Sequence, residues 1–216
     1  MVHLESIKKS INTEEITNAV SHGIGIGLSI AGLVVLVVLA SMFGDAWYVV
    51  SFSIYGATSI MLYLASTLYH SAPEGKAKSI LKIFDHSAIF LLIAGSYTPL
   101  TLITLRGKLG WSLFGIVWFI AIAGIVFKVF FVKKFKTLST ILYILMGWLV
   151  VVAIKPLFLA LNTKSIVFLV VGGVLYTIGT IFYSWAKLKY NHAIWHMFVL
   201  GGSVCHFFTM LFLIPR

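Results

Sequence analysis

His70, Asp85, His192 and His196, with Ser66 one helical turn before His70, are the residues in this chain whose types and spacing could do chemistry. All lie in very apolar stretches, and a charge at mid-bilayer costs about 2.5–3.5 kcal/mol on insertion scales. Several such groups at one depth call for a shared purpose. His192 and His196 stand four apart in Asn191-His192-Ala193-Ile194-Trp195-His196, so both project from one helical face. One helix gives two imidazoles to one metal at that spacing, and His70 supplies a third. Three neutral imidazoles plus an open position form the ligand set of a catalytic zinc, which lowers the pKa of its water from about 15.7 to about 7. Ser66 shares the His70 face and could hydrogen-bond that water. Asp85 could orient a ligand histidine or accept the proton of the water. Taken singly, each histidine also fits an interfacial role, bonded to backbone carbonyls near the headgroups.

The elements that position these groups are membrane helices. The chain has 216 residues, of which 60% are hydrophobic and 10% charged, with a mean hydropathy of +1.05. Apolar runs at about 22–43, 46–70, 83–105, 110–132, 138–160, 164–186 and 192–214 are each long enough to cross about 30 Å of hydrocarbon. The expected fold is an all-α polytopic membrane protein: a seven-transmembrane-helix bundle over residues 19–216, preceded by a polar juxtamembrane segment over 1–18. Asn12 or Thr13 is a plausible N-cap for a short helix carrying Glu14 and Glu15. No cleavable signal peptide is evident. The lone Cys205 permits no intrachain disulfide and no paired-cysteine metal site.

Basic residues outnumber acidic ones 16 to 6, but they occupy short loops, which excludes nucleic acid as a partner. Lys8, Lys9, Lys76, Lys78, Lys82, Lys128, Lys133, Lys134, Lys136, Lys187 and Lys189 fall on one side. Arg106, Lys108, Lys155, Lys164 and Arg216 fall on the other. The bias puts the N-terminus in the cytoplasm and the C-terminus outside. His70, Asp85 and His192 then gather at the cytoplasmic face.

The remaining features read more plainly. His22 follows Asn18 by one turn at the start of span 1 and could support the site from behind the ligands. His86 adjoins Asp85 but points about 100° away around the helix, which suggests an interfacial role. His206 lies about 15 Å deeper than His196, where an interhelical hydrogen bond is expected; His3 belongs to the tail. Gly23, Gly25 and Gly27, and Gly172, Gly173, Gly179, Gly201 and Gly202, suggest close helix packing. Pro99 and Pro156 fall near the outer ends of spans 3 and 5, where a bend is tolerated. Trp47, Tyr48, Trp111, Trp185 and Tyr190 suit interface anchors. Lys128 and Lys155 are placed to snorkel.

At these residues the chain resembles the hemolysin III family, the bacterial branch of the progestin and adipoQ receptor family, which includes the adiponectin receptors. The resemblance rests on Glu15-x-x-Asn18-x-x-x-His22, Ser66-x-x-x-His70, Asp85-x-Ser87 with Gly95-Ser96-x-x-Pro99, and His192-x-x-x-His196. It implies a seven-helix bundle in a bacterial plasma membrane. Zinc would be held on the cytoplasmic side by His70, His192 and His196, with Ser66 and Asp85 around its water. Glu15, Asn18 and His22 would lie behind the ligands. A relationship to alkaline ceramidases implies a membrane lipid as substrate or regulator. The chain lacks the long N-terminal region of the receptors. Three functions compete: a zinc-dependent hydrolase of a lipid amide or ester, a non-catalytic membrane-homeostasis sensor with a structural zinc, and a hemolysin-type channel or cytolysin. For the last, no polar pore lining is evident.

Overall fold

In the computed structural model, residues 2–132 and 134–215 are described, with side chains from Thr13 onward. The side chains of His3, Lys8, Lys9 and Asn12, together with Lys133 and Arg216, therefore lie outside what is described. Seven helical stretches are long and apolar enough to cross a membrane, so the chain is an all-helical, multi-pass membrane protein. They are built from α1 (Val2–Phe43), α2 (Ala46–Ser71), α3 (Lys76–Pro99), α4 (Lys108–Phe131), α5 (Lys136–Gly147), α6 (Ile154–Ala160), α7 (Thr163–Ser184) and α8 (Asn191–Leu211). α3 is the most buried span. Packing is heaviest between α1 and α2, α2 and α3, and α7 and α8, and α1 also lies on α8. The first and last helices thereby meet, which brings residues far apart in sequence to one place.

Three elements depart from the sequence expectation. α1 runs through Asn12 and Thr13 without a break, so no capped juxtamembrane helix precedes the first span. α3 begins at Lys76 rather than near residue 83. Its polar first turns are held by Lys78, whose Nζ lies 3.1 Å from Glu74 and 2.8 Å from Glu15 on α1. Asp85 consequently sits about 14 Å along the helix instead of at its start.

The fifth span is not one α-helix. α5 gives way to a 3-10 stretch over Trp148–Ala153 before α6 resumes. Pro156 has no N–H to donate, and its ring crowds the carbonyl four residues back. Tyr97, buried on α3, occupies the unwound turn: its hydroxyl accepts the Val150 N–H at 2.7 Å and faces the carbonyls of Gly147 at 2.7 Å and Met146 at 3.0 Å. Pro99 ends α3, and a π-helical turn over Leu100–Thr104 follows. There the Thr101 hydroxyl donates to the Tyr97 carbonyl at 2.9 Å.

Close approaches use some of the glycines and not others. A Cβ on Gly25 would enter the Tyr63 ring, one on Gly124 the Phe90 ring, and ones on Gly172, Gly179 and Gly202 would meet His206, Trp195 and Tyr176. Gly23 and Gly27 face open space, so the packing expectation fails for them. At mid-bundle, Ser203 ties three helices: Tyr63 donates to its hydroxyl at 2.7 Å and Tyr176 lies 2.8 Å away.

Candidate metal centre

α8 owes its start to its neighbours. Tyr190 adopts a left-handed backbone (φ 58°) and supplies no side-chain cap. Asn191 instead donates to the Phe182 and Tyr183 carbonyls at 3.3 and 3.2 Å, closing the end of α7. Glu14 on α1 accepts the His192 backbone N–H at 3.3 Å, one of the orphan donors of a helix N-terminus. The carboxylate also suits the positive end of the helix dipole. His192 and His196 are thus fixed on a helix anchored from two sides.

His70, in the last turn of α2, meets them. One ligand atom from each of His70, His192 and His196 lies within 4.8 Å of the others, so the three could hold one metal ion. Their ring centroids are 5.0 Å apart for His70–His192 and His70–His196, and 4.7 Å for His192–His196. His70 Nδ1 lies 3.2 Å from the Glu15 carboxylate and 3.5 Å from the Asn18 amide. The carboxylate accepts a hydrogen bond from Nδ1–H, the tautomer in which Nε2 keeps its lone pair. That Nε2 is buried and has no hydrogen-bond partner. His196 repeats the arrangement: its Nδ1 faces the Asn18 carbonyl at 3.3 Å and the Ser21 hydroxyl at 3.4 Å. A histidine that gives one ring N–H to a carboxylate or carbonyl and presents the other nitrogen is the usual form of a metal ligand. The donor set therefore fits a divalent ion of zinc type, with all three neutral imidazoles able to present nitrogen.

The other sequence candidates fall around this cluster. Glu15 and Asn18 contact His70 as stated. His22 is 3% exposed, stacks on His196 with centroids 3.5 Å apart and planes 8° off parallel, and has no hydrogen-bond partner for either ring nitrogen. Ser66 is buried with its hydroxyl unpartnered. Asp85 is buried, and its Oδ2 lies 3.2 Å from His86 Nδ1.

Two expectations are corrected here. His86 is not interfacial: its ring is buried and turned back along the helix onto the neighbouring carboxylate, and Tyr143 donates to its carbonyl at 2.7 Å. Lys128 does not snorkel, being 1% exposed, whereas Lys155 is exposed. His206 faces α7 deep in the bundle, edge-on to Tyr176 and apart from the cluster. Sequence reasoning also passed over Glu14 and Lys78. Acid scarcity was the available signal, since the chain has 6 acidic residues and Glu14, Glu15 and Asp85 all converge on this end.

A cavity of about 170 Å³ leads from the cluster into the bundle. His22, Asp85, His86, His192 and His196 line one end, and mostly apolar side chains line the rest. Along α3 the lining runs from Asp85 to Leu100, about 22 Å of helix. Its edge between the fifth span and α7 carries the exposed residues Trp148, Val151 and Val170, on the side that faces the bilayer.

Comparison with known proteins gives the family of the chain. The family model described as "Haemolysin-III related" matches residues 10–207. The chain is 55% identical over 199 residues to "Hemolysin-3 homolog" of Bacillus subtilis (strain 168), covering 92% of this chain and 93% of that one. It is 55% identical to "Hemolysin-3" of Bacillus cereus, covering 92% and 91%. "Monocyte to macrophage differentiation factor" of Homo sapiens is 27% identical over 206 residues, 91% of this chain and 83% of that protein. No solved structure gave a significant match. The chain belongs to the haemolysin-III-related family of membrane proteins.

Proposed function

We propose that this protein is a zinc-dependent hydrolase of an amide or ester bond in a membrane lipid, with its histidine end on the cytoplasmic side of a bacterial plasma membrane. The observation that carries the reading is the buried, unpartnered Nε2 of His70, set among the donor atoms of His192 and His196 where a long apolar cavity begins. A purely structural clamp of α2 to α8 would not need that cavity. A pore would need a polar lining, and the cavity wall is mainly apolar.

When bound, zinc supplies Lewis acidity toward a carbonyl oxygen and a water acidic enough to ionise near neutral pH. The residues of the chain do the rest. Glu15 and the Asn18 carbonyl hold His70 and His196 with Nε2 presented. Asp85, beside His86 in the cavity, takes a proton from the attacking water and returns it to the leaving amine or alcohol. The Ser66 hydroxyl has a free donor for an oxygen at the reacting centre. The apolar cavity takes the acyl chain and excludes bulk water, which strengthens each polar contact at the reacting end. Lipid reaches it laterally, between the fifth span and α7.

The test is incubation of purified protein with total bacterial membrane lipid, followed by product profiling. Wild type is expected to release a free acyl chain from one lipid class. Asp85→Ala should retain zinc and lose about 10²–10⁴-fold in turnover, the usual size of general acid–base catalysis. Turnover at the wild-type rate in Asp85→Ala, or no product from wild type loaded with zinc, contradicts the hydrolase reading.

A further inference from the structure

Both ring nitrogens of His22 are buried without a hydrogen-bond partner among the described residues, and the residue is 3% exposed. A neutral imidazole carries one donor and one acceptor, and leaving either unmade in a buried site is costly. The local acceptor is already taken. The Asn18 carbonyl, one turn earlier on α1, receives the Ser21 hydroxyl at 2.9 Å and faces His196 Nδ1 at 3.3 Å. The His22 ring is held by its faces and edges instead. It stacks on His196 with centroids 3.5 Å apart and planes 8° off parallel, and it meets Tyr63 edge-on at 5.0 Å. Its position is fixed while its nitrogens are idle.

The stack limits what those nitrogens can reach. The lone pair and the N–H of an imidazole both lie in the plane of the ring. An ion on Nε2 of His196 would lie in the plane of that ring, so the parallel His22 cannot aim a lone pair at it. The group able to hold a metal accordingly comprises His70, His192 and His196 without His22. An oxygen displaced from the His196 plane toward the level of His22 does come into line with the His22 N–H. His22 also lines the same end of the cavity as Asp85, His192 and His196, where the reacting carbonyl of a lipid must be presented.

We propose that His22 is a catalytic residue whose imidazole N–H binds the carbonyl oxygen of the scissile amide or ester and holds the negative charge that gathers there in the transition state. The proton stays on His22 throughout, and the contact is a hydrogen bond that strengthens as the charge grows. A donor fixed in advance in a water-excluded site gives this kind of help at no cost of reorganisation. The inference rests on the hydrolase reading of the metal centre. It gives α1 a part in the chemistry as well as in holding the ligands.

The test is acetate binding to purified protein loaded with cobalt(II) in place of zinc, followed by the visible absorption of the metal. Acetate presents the oxygen of a cleaved acyl group without its chain. Wild type, His22→Phe and His22→Asn are compared. Phenylalanine keeps the stack and removes both nitrogens, whereas asparagine gives up the ring and keeps an N–H. All three are expected to take up equal cobalt. His22→Phe should bind acetate about tenfold more weakly than wild type, the worth of one hydrogen bond to a charged oxygen, and His22→Asn should recover most of the affinity. Should His22→Phe fail to fold, His22→Asn must bind acetate more tightly than His22→Ala. Equal acetate affinity in wild type and His22→Phe, or no acetate response in wild type, overturns the proposal and leaves the metal centre standing. Loss of cobalt from both His22→Phe and His22→Asn overturns it in favour of a fourth ligand, and wild type that takes up no cobalt removes the centre itself. Binding is read without turnover, so a protein inactive on lipids that still shows the difference counts against the hydrolase alone.

Discussion

The roles of the individual side chains at the cluster are set by which nitrogen each imidazole has left to give. Glu15 engages Nδ1 of His70 and also receives Lys78 at 2.8 Å, so the carboxylate is held from two sides. Neutralising it in Glu15→Gln keeps the size and removes the charge that fixes the His70 tautomer. Partners of this kind are worth about 10–100-fold in metal affinity. The zinc dissociation constant of Glu15→Gln, measured by competition with a chromogenic chelator, should rise by that factor while the protein remains folded. An unchanged constant would mean that Glu15 only pairs with Lys78. His22 shows where residue-level reading from sequence ends. Its spacing from Asn18 placed it near the ligands, but its parallel stack on His196 depends on how α1 and α8 rotate against each other, which no spacing within one helix encodes.

Among the elements, the third and fifth spans carry most of what the sequence concealed. Hydropathy marks where an apolar run crosses a bilayer because every exposed backbone group there must be satisfied internally. That constraint made the helices legible. It says nothing of a helix that breaks while still buried. The unwound turn after α5 persists because Tyr97, on a different span, satisfies its backbone groups. Tyr97→Phe leaves a part-buried amide and a carbonyl without their partner, at up to about 1–3 kcal/mol. Its thermal midpoint in detergent should fall clearly below that of wild type, and an unaltered midpoint would show that the turn is held by other means. Lys128 was misread for a related reason. Position near a helix end suggested that it snorkels, whereas the small residues Ala121 and Gly124 on the same stripe mark that face as the packed one. The stripe was present in the sequence and outranks position along the helix.

At the scale of the whole molecule, the contact of α1 with α8 is what turns scattered motifs into one centre. α1 contributes Glu14, Glu15, Asn18 and Ser21 to groups borne by α2 and α8, so one helix positions both halves of the histidine cluster. The heptahelical count and the family were readable from the chain, because length, apolarity and ordered motifs are one-dimensional properties. The cavity was not, because it arises from which faces of non-adjacent helices turn inward. The proposed function stands on His70, His192 and His196 jointly holding one zinc ion. The most direct test is metal analysis by inductively coupled plasma mass spectrometry on purified wild type, His192→Ala and a His206→Ala control. About one zinc per chain is expected in wild type and in His206→Ala, as for a three-histidine site, and little in His192→Ala. Wild type without zinc after purification in its presence, or equal zinc in all three proteins, would contradict it.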